Sequence, residues 1–207
     1  MIRHQTKSYF MKKTYFLIIL SIFTLINHSF AQQPGYVITQ TNDTIKCTVK
    51  NGLLGGTKYQ LPNGDFKKIT KKDIKEYQLT KDSSVYIVQY PHEEDVPEFL
   101  QWIERGKINL YQQISSSSTY NASTNMTTGS STNTWYISKN DSALILLKTN
   151  GWFTFGGSSH KERETTFIEM ISDDPVTLAD LKKANSFDFK TIRKYIKQYN
   201  QNAAQKR

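Results

Sequence analysis

From Pro34 onward the apolar positions come in short alternating runs broken by turn dipeptides. Tyr36-Val37-Ile38-Thr39 and Thr44 to Lys50 are rich in β-branched residues, and Thr41-Asn42-Asp43 between them suits a hairpin turn. Asn51-Gly52 ends the second run. Thr57 to Leu61 and Phe66 to Thr70 flank Pro62-Asn63-Gly64-Asp65, and Asn-Gly is the strongest short hairpin signal because both residues accept positive φ. Thr70 to Ile74 reads as a brief helical turn before Tyr77-Gln78-Leu79, and Lys81 to Ser84 as a turn into Val85 to Tyr90. Residues 34–90 thus predict about six strands in an antiparallel meander, able to curl into a small barrel-like sheet.

The period then changes. Phe99, Leu100 and Ile103 stand at i, i+1 and i+4, with Pro97 fit for a first turn and Gly106 for a cap, which predicts a short mid-chain helix. Lys107 to Ile114 alternates again as a strand. Of the 20 residues from Ser115 to Thr134, 17 are Ser, Thr, Asn or Gly and none is charged. So little apolar surface predicts a mobile loop, with strands resuming at Trp135 to Ser138 and Ser142 to Leu147 around an Asn140-Asp141 turn. Asn150-Gly151 reads as a further turn. Two C-terminal helices follow. Asp174-Pro175 supplies an N-cap and a first-turn proline ahead of Leu178, Leu181 and Ala184. The second starts near Ser186 to Asp188 and carries the stripe Phe189, Ile192, Tyr195, Ile196, Tyr199, with Lys190, Arg193, Lys194 and Lys197 opposite. Gln201 to Arg207 is expected to fray. The expected fold class is α+β, one β-rich domain over residues 32–200.

The N-terminus has a different pattern. Met11-Lys12-Lys13 precedes 13 residues, Thr14 to Ile26, without a charge, and Ser29 and Ala31 follow as small residues at the −3 and −1 positions of a cleavage site. This is the order of a secretory signal peptide ending at Ala31, with Met11 as the functional start. The run is short of the roughly 20 apolar residues a spanning helix needs, so no transmembrane span is expected in the mature chain. Removing residues 1–31 takes away Arg3, Lys7, Lys12 and Lys13 and no acidic residue. The 27 basic groups become 23 against 18 acidic, a net of +5. That modest surplus, in Lys67-Lys68, Lys71-Lys72 and the last helix, accompanies no nucleic-acid-binding motif, and no nucleic-acid partner is expected.

The residues that carry most chemistry are scarce. A single cysteine among 207 residues excludes a disulfide framework and a Cys-based zinc site. Cys47 is in phase with Ile45 and Val49 and reads as a small buried hydrophobe. His92-Glu93-Glu94-Asp95 offers metal-ligand types, but contiguous residues diverge and no second histidine stands at i+4, so a solvated acidic loop is favoured. His160 follows Gly156-Gly157-Ser158-Ser159 without a G-x-S-x-G elbow, which reads as a flexible turn. No cofactor fingerprint is present.

Gly35-Tyr36-Val37-Ile38 followed by Asn42-Asp43-Thr44-Ile45-Lys46 resembles the opening of many uncharacterised exported proteins of the Bacteroidetes. Gly106-Lys107-Ile108-Asn109-Leu110-Tyr111 is similar to their G-K-x-x-L-Y stretch, and Asp174-Pro175 through Tyr199-Asn200 looks like their closing helices. The resemblance spans most of residues 35–200, departs at Cys47 where glycine is usual, and treats the Ser-rich stretch as an insertion. It implies an envelope or secreted location and brings no activity, cofactor or catalytic residue with it.

These readings favour a non-enzymatic binding or structural module of the cell envelope, in the periplasm, associated with the outer membrane or outside the cell. An envelope glycan or another envelope protein is the partner class that fits. The alternative is a glycan hydrolase whose carboxylates are brought together by the fold. Candidate surface-binding residues are Trp135, Tyr136 and Trp152, as sugar-stacking rings, and Lys190, Arg193, Lys194 and Lys197.

Overall fold

The computed structural model describes residues 34–52, 56–91, 96–121, 123–150, 159–184 and 186–205. The signal-peptide segment, His92-Glu93-Glu94-Asp95, Gly151, Trp152 and Gly156-Gly157-Ser158 lie outside the described residues.

Among the described residues eleven strands precede the helices: β1 (Gly35–Thr39), β2 (Thr44–Cys47), β3 (Val49–Asn51), β4 (Thr57–Gln60), β5 (Phe66–Lys68), β6 (Ile74–Gln78), β7 (Val85–Gln89), β8 (Glu98–Glu104), β9 (Ile108–Asn121), β10 (Met126–Lys139) and β11 (Ile145–Thr149). Helices α1 (His160–Ile171), α2 (Pro175–Ala184) and α3 (Phe189–Gln205) complete the chain. Eight strands form one antiparallel sheet in the order β11-β10-β9-β8-β7-β6-β1-β2, and β3-β4-β5 form a second. The α+β class and the antiparallel pairing hold, and the large sheet is open rather than closed into a barrel. The meander is interrupted where β6 returns beside β1 after the small sheet. Residues 34–90 contain seven strands instead of about six, because the run from Thr44 to Lys50 divides at Thr48 between the two sheets. Thr80 makes that division: its hydroxyl accepts from the Val49 N–H at 2.8 Å, and its own N–H donates to the Val49 carbonyl at 3.1 Å.

The turns follow the sequence. Asn42, Gly64, Asn140 and Asp141 all take positive φ, at 66°, 93°, 53° and 57°. The consecutive pair Asn140-Asp141 is a two-residue turn of the primed kind, which matches the twist of the strands it joins.

Three expectations are corrected. Residues 98–104 are strand β8, not a helix. Phe99 joins the apolar cluster of Val37, Tyr59 and Tyr77, while Leu100 joins that of Tyr111 and Tyr136 on the other side. A strand apolar on both faces places large residues side by side and imitates the i, i+1, i+4 spacing. Residues 115–134 are not a loop: β9 and β10 pair without a register shift from Met126↔Asn121 to Lys139↔Ile108. The ladder continues outward from Ile108, Leu110, Trp135 and Ile137, which are anchored in the core, so backbone pairing orders residues whose side chains bury little. Residues 201–205 continue α3 instead of fraying, because Asn202 Nδ2 donates to Asp174 Oδ2 at 2.7 Å.

Helix α1 was not anticipated. Its capping box is complete, with Ser159 accepting from the Glu162 N–H and the Glu162 side chain accepting from the Ser159 N–H. Arg163, Phe167 and Ile171, four residues apart, point inward. The two C-terminal helices form as their patterns predict, and Ile192, Tyr195, Ile196 and Tyr199 are the buried stripe of α3.

One face of the large sheet is covered twice. The helices pack over Ile108, Leu110, Trp135, Ile137 and Leu147, and the small sheet packs over Val37, Tyr77, Tyr86 and Phe99. Fully burying one such side chain contributes roughly 1.5–3 kcal/mol. The opposite face carries a third cluster, Leu100, Tyr111 and Tyr136 with Ile87, Trp102, Leu144 and Leu146.

Candidate functional site

The helix-covered side is pinned by polar clasps. Lys107 and Lys139 contact Asp173 at 2.7 and 2.9 Å, and the Tyr199 hydroxyl donates to the same carboxylate at 2.9 Å. Desolvation opposes ionisation there, but the Lys107, Lys139 and Tyr199 hydrogen bonds overcome it and hold Asp173 well below the usual carboxylate range. Next to it the Asn200 amide grips the backbone of Ile108, accepting from its N–H at 2.9 Å and donating to its carbonyl at 2.7 Å. Gly106 is glycine because a Cβ there would come within 2.3 Å of the Asn200 side chain. The Gly106-Lys107-Ile108 and Tyr199-Asn200 stretches therefore meet each other as a structural lock.

The other face holds a different set. Strand alternation sends Tyr36 and Glu76 to the side of Leu100, away from Val37 and Tyr77. A β-bulge in β8 supplies the rest: Trp102 faces Tyr111 and Glu104 faces Leu110, so two residues of β8 stand against one of β9. Ile103 thereby packs on the helix-side core, and Glu104 accepts from Arg193 at 2.7 Å. Arg105 returns to the opposite face and lies over the Trp102 ring, 3.9 Å from its centroid. Arg105 Nη2 contacts Glu76 Oε1 at 3.2 Å, and the Tyr36 hydroxyl donates to that same oxygen at 2.5 Å. Trp102 stacks in turn on Tyr111, with centroids 5.7 Å apart.

Burial within this group is uneven. Glu76 is 7% exposed, whereas the Arg105 side chain keeps 50% of its surface open to solvent. Burial, reinforced by the hydrogen bond to Glu76, raises the Tyr36 hydroxyl above its ordinary pKa. Desolvation raises Tyr111 and Tyr136 in the same way. The Trp102 Nε1–H is buried and has no acceptor among the described residues, an unmet donor that costs on the order of 1–3 kcal/mol. The arrangement is an arginine held by a buried carboxylate and an indole face, with half of its side chain open to solvent. Such a guanidinium loses little freedom when it captures a carboxylate or phosphate. Glu76 takes hydrogen bonds from Tyr36 and Arg105.

The sequence-predicted site residues do not converge. Trp135 and Tyr136, 6% and 2% exposed, are core residues in different clusters, and Trp135 packs edge-on against Phe189. They offer no stacking surface, because both rings are buried. Trp152 lies outside the described residues. Lys190, Arg193, Lys194 and Lys197 are exposed on α3, but Arg193 is engaged by Glu104 and Lys194 lies over the Tyr195 ring at 5.0 Å. Cys47 is partly buried against the small-sheet cluster, and desolvation pushes its thiol up, away from nucleophilic character. Ser159 caps α1 and His160 meets Phe187 edge-on, so the two form no catalytic pair. Among the described residues no group of three His, Cys, Asp or Glu is placed to hold a metal, and no helix is long and apolar enough to cross a membrane. Compared with known proteins, the chain matches no family model, no curated protein and no solved structure.

Proposed function

We propose that the protein is an exported cell-envelope module that binds an acidic glycan without transforming it, through the sheet face around Arg105 and Trp102. The observation that carries this reading is the half-exposed Arg105 side chain, its guanidinium held by Glu76 and laid on Trp102. A glycan bearing a carboxylate matches it: the anion meets the solvent-exposed part of the Arg105 side chain. The signal-like N-terminus supports the location. A binding role is supported by the commitment of Glu76 to two donors, Tyr36 and Arg105, which fixes it as a support for the arginine.

The test is calorimetric titration of the purified protein with uronate-bearing oligosaccharides and their neutral counterparts. The acidic series binds and the neutral series does not. Arg105→Ala removes a charge-assisted contact of about 1.5–3 kcal/mol, which weakens binding by roughly 10- to 100-fold. Equal binding of both series, equal affinity of Arg105→Ala, or release of shortened products overturns the proposal.

A further inference from the structure

Beyond Gln112 on β9 and before Thr134 on β10, the two strands leave the sheet. Register to β8 ends at Gln101↔Gln112 and register to β11 ends at Thr134↔Thr149, while β9 and β10 stay paired to Met126↔Asn121. The result is a two-stranded ribbon whose β9 edge, among the described residues, pairs with no other strand beyond Gln112. Natural edges of this kind are protected by lysine, proline or a bulge. This one has none: the 31 residues from 108 to 138 contain no Asp, Glu, Lys, Arg, His or Pro, and the β9–β10 register never shifts. Ile114 and Tyr120, on the same face of β9, are 62% and 61% exposed.

We infer that the β9 edge of the ribbon pairs antiparallel with the β9 edge of a second copy of this chain about a two-fold axis at Ser117. Two copies meet no like-charge repulsion along this stretch, because it carries no ionisable side chain of either sign apart from tyrosine. The register also fits itself. Centring on Ser117 sets Ile114 opposite Tyr120 of the second copy, and Tyr120 opposite its Ile114, giving two β-branched–aromatic cross-strand pairs. The Tyr120 hydroxyl is already satisfied by Asn125 Oδ1 at 2.5 Å, which leaves its ring free for the pairing.

Sedimentation equilibrium of the purified protein, from sub-micromolar to high-micromolar concentration, tests the inference. The wild type is a dimer that dissociates on dilution. Ile114→Lys with Tyr120→Lys is monomeric, as is Ile114→Glu with Tyr120→Glu, and mixing the two restores a heterodimer. Both positions are exposed, so the circular dichroism spectrum stays that of the wild type. If these variants misfold, replacing residues 116–131 by a tight turn serves instead and yields a folded monomer. A wild type that is monomeric throughout, or a folded variant that still dimerises alone, overturns the inference.

Discussion

Truncating Ile192 measures how much the last helix contributes to the fold. The side chain is fully buried in the cluster shared by α3, Phe167, Leu110 and Ile137. Ile192→Ala removes three carbons, at about 0.8 kcal/mol each or roughly 2.4 kcal/mol in lost burial. The cavity cannot collapse freely. Asp188 caps the start of α3 by accepting from the Thr191 N–H at 2.7 Å, and Asn202 ties its end to Asp174. The cavity term therefore adds to the cost and brings the total to about 3–4 kcal/mol. For a chain of this size that lowers the thermal midpoint by roughly 6–16 °C. Lys194→Glu is the control on the exposed side of the same helix. It loses only an exposed contact with the Tyr195 ring, worth about 1 kcal/mol or less. Urea unfolding of both variants, followed by circular dichroism, reads the difference directly. Equal midpoints would refute the placement of Ile192 in the core.

Three further outcomes are expected. Because Asp173 is held below its unfolded value of about 3.9, its contribution to stability is complete above that pH and is lost as pH falls through the lower folded value. Acid titration of the wild type and Asp173→Asn shows this as a stability gap that is full near neutral pH and narrows on acidification; a gap independent of pH contradicts the clasp. Mass spectrometry of the envelope fraction finds a chain beginning at Gln32, and a chain retaining Met11 contradicts cleavage after Ala31. The dimer of the wild type, lost in the paired lysine variant of Ile114 and Tyr120, is read by sedimentation.

What was legible in the sequence were the features decided by neighbouring residues. Asn63-Gly64 and Asn140-Asp141 marked turns because positive φ is a local property, and the 3.6 period of α3 survived because only one side of the helix meets the core. Strand β8 was hidden because Phe99 and Leu100 are both buried, on opposite faces, and that erases the alternation a strand shows when one side is wet. The ribbon was hidden because counting apolar side chains ignores a ladder propagated from an anchored base. The capping box of α1 was present in Ser159 and Glu162, but the glycines before it drew the reading toward a turn. Tyr36, Glu76, Trp102 and Arg105 obey no spacing rule. They meet because β1 returns beside β6 and a bulge turns Arg105 over, and only strand order and register carry that information.

Tryptophan indole N–H signals in a ¹H–¹⁵N spectrum, followed as a uronate-bearing oligosaccharide is added, test the binding face most directly. Trp102 and Trp135 lie in clusters on opposite sides of the sheet, so each reports on its own side. The account predicts that the Trp102 signal moves and saturates while Trp135 stays in place, and that Arg105→Ala abolishes the movement. A Trp102 signal that does not respond to bound oligosaccharide, or a response confined to Trp135, contradicts the assignment of this face.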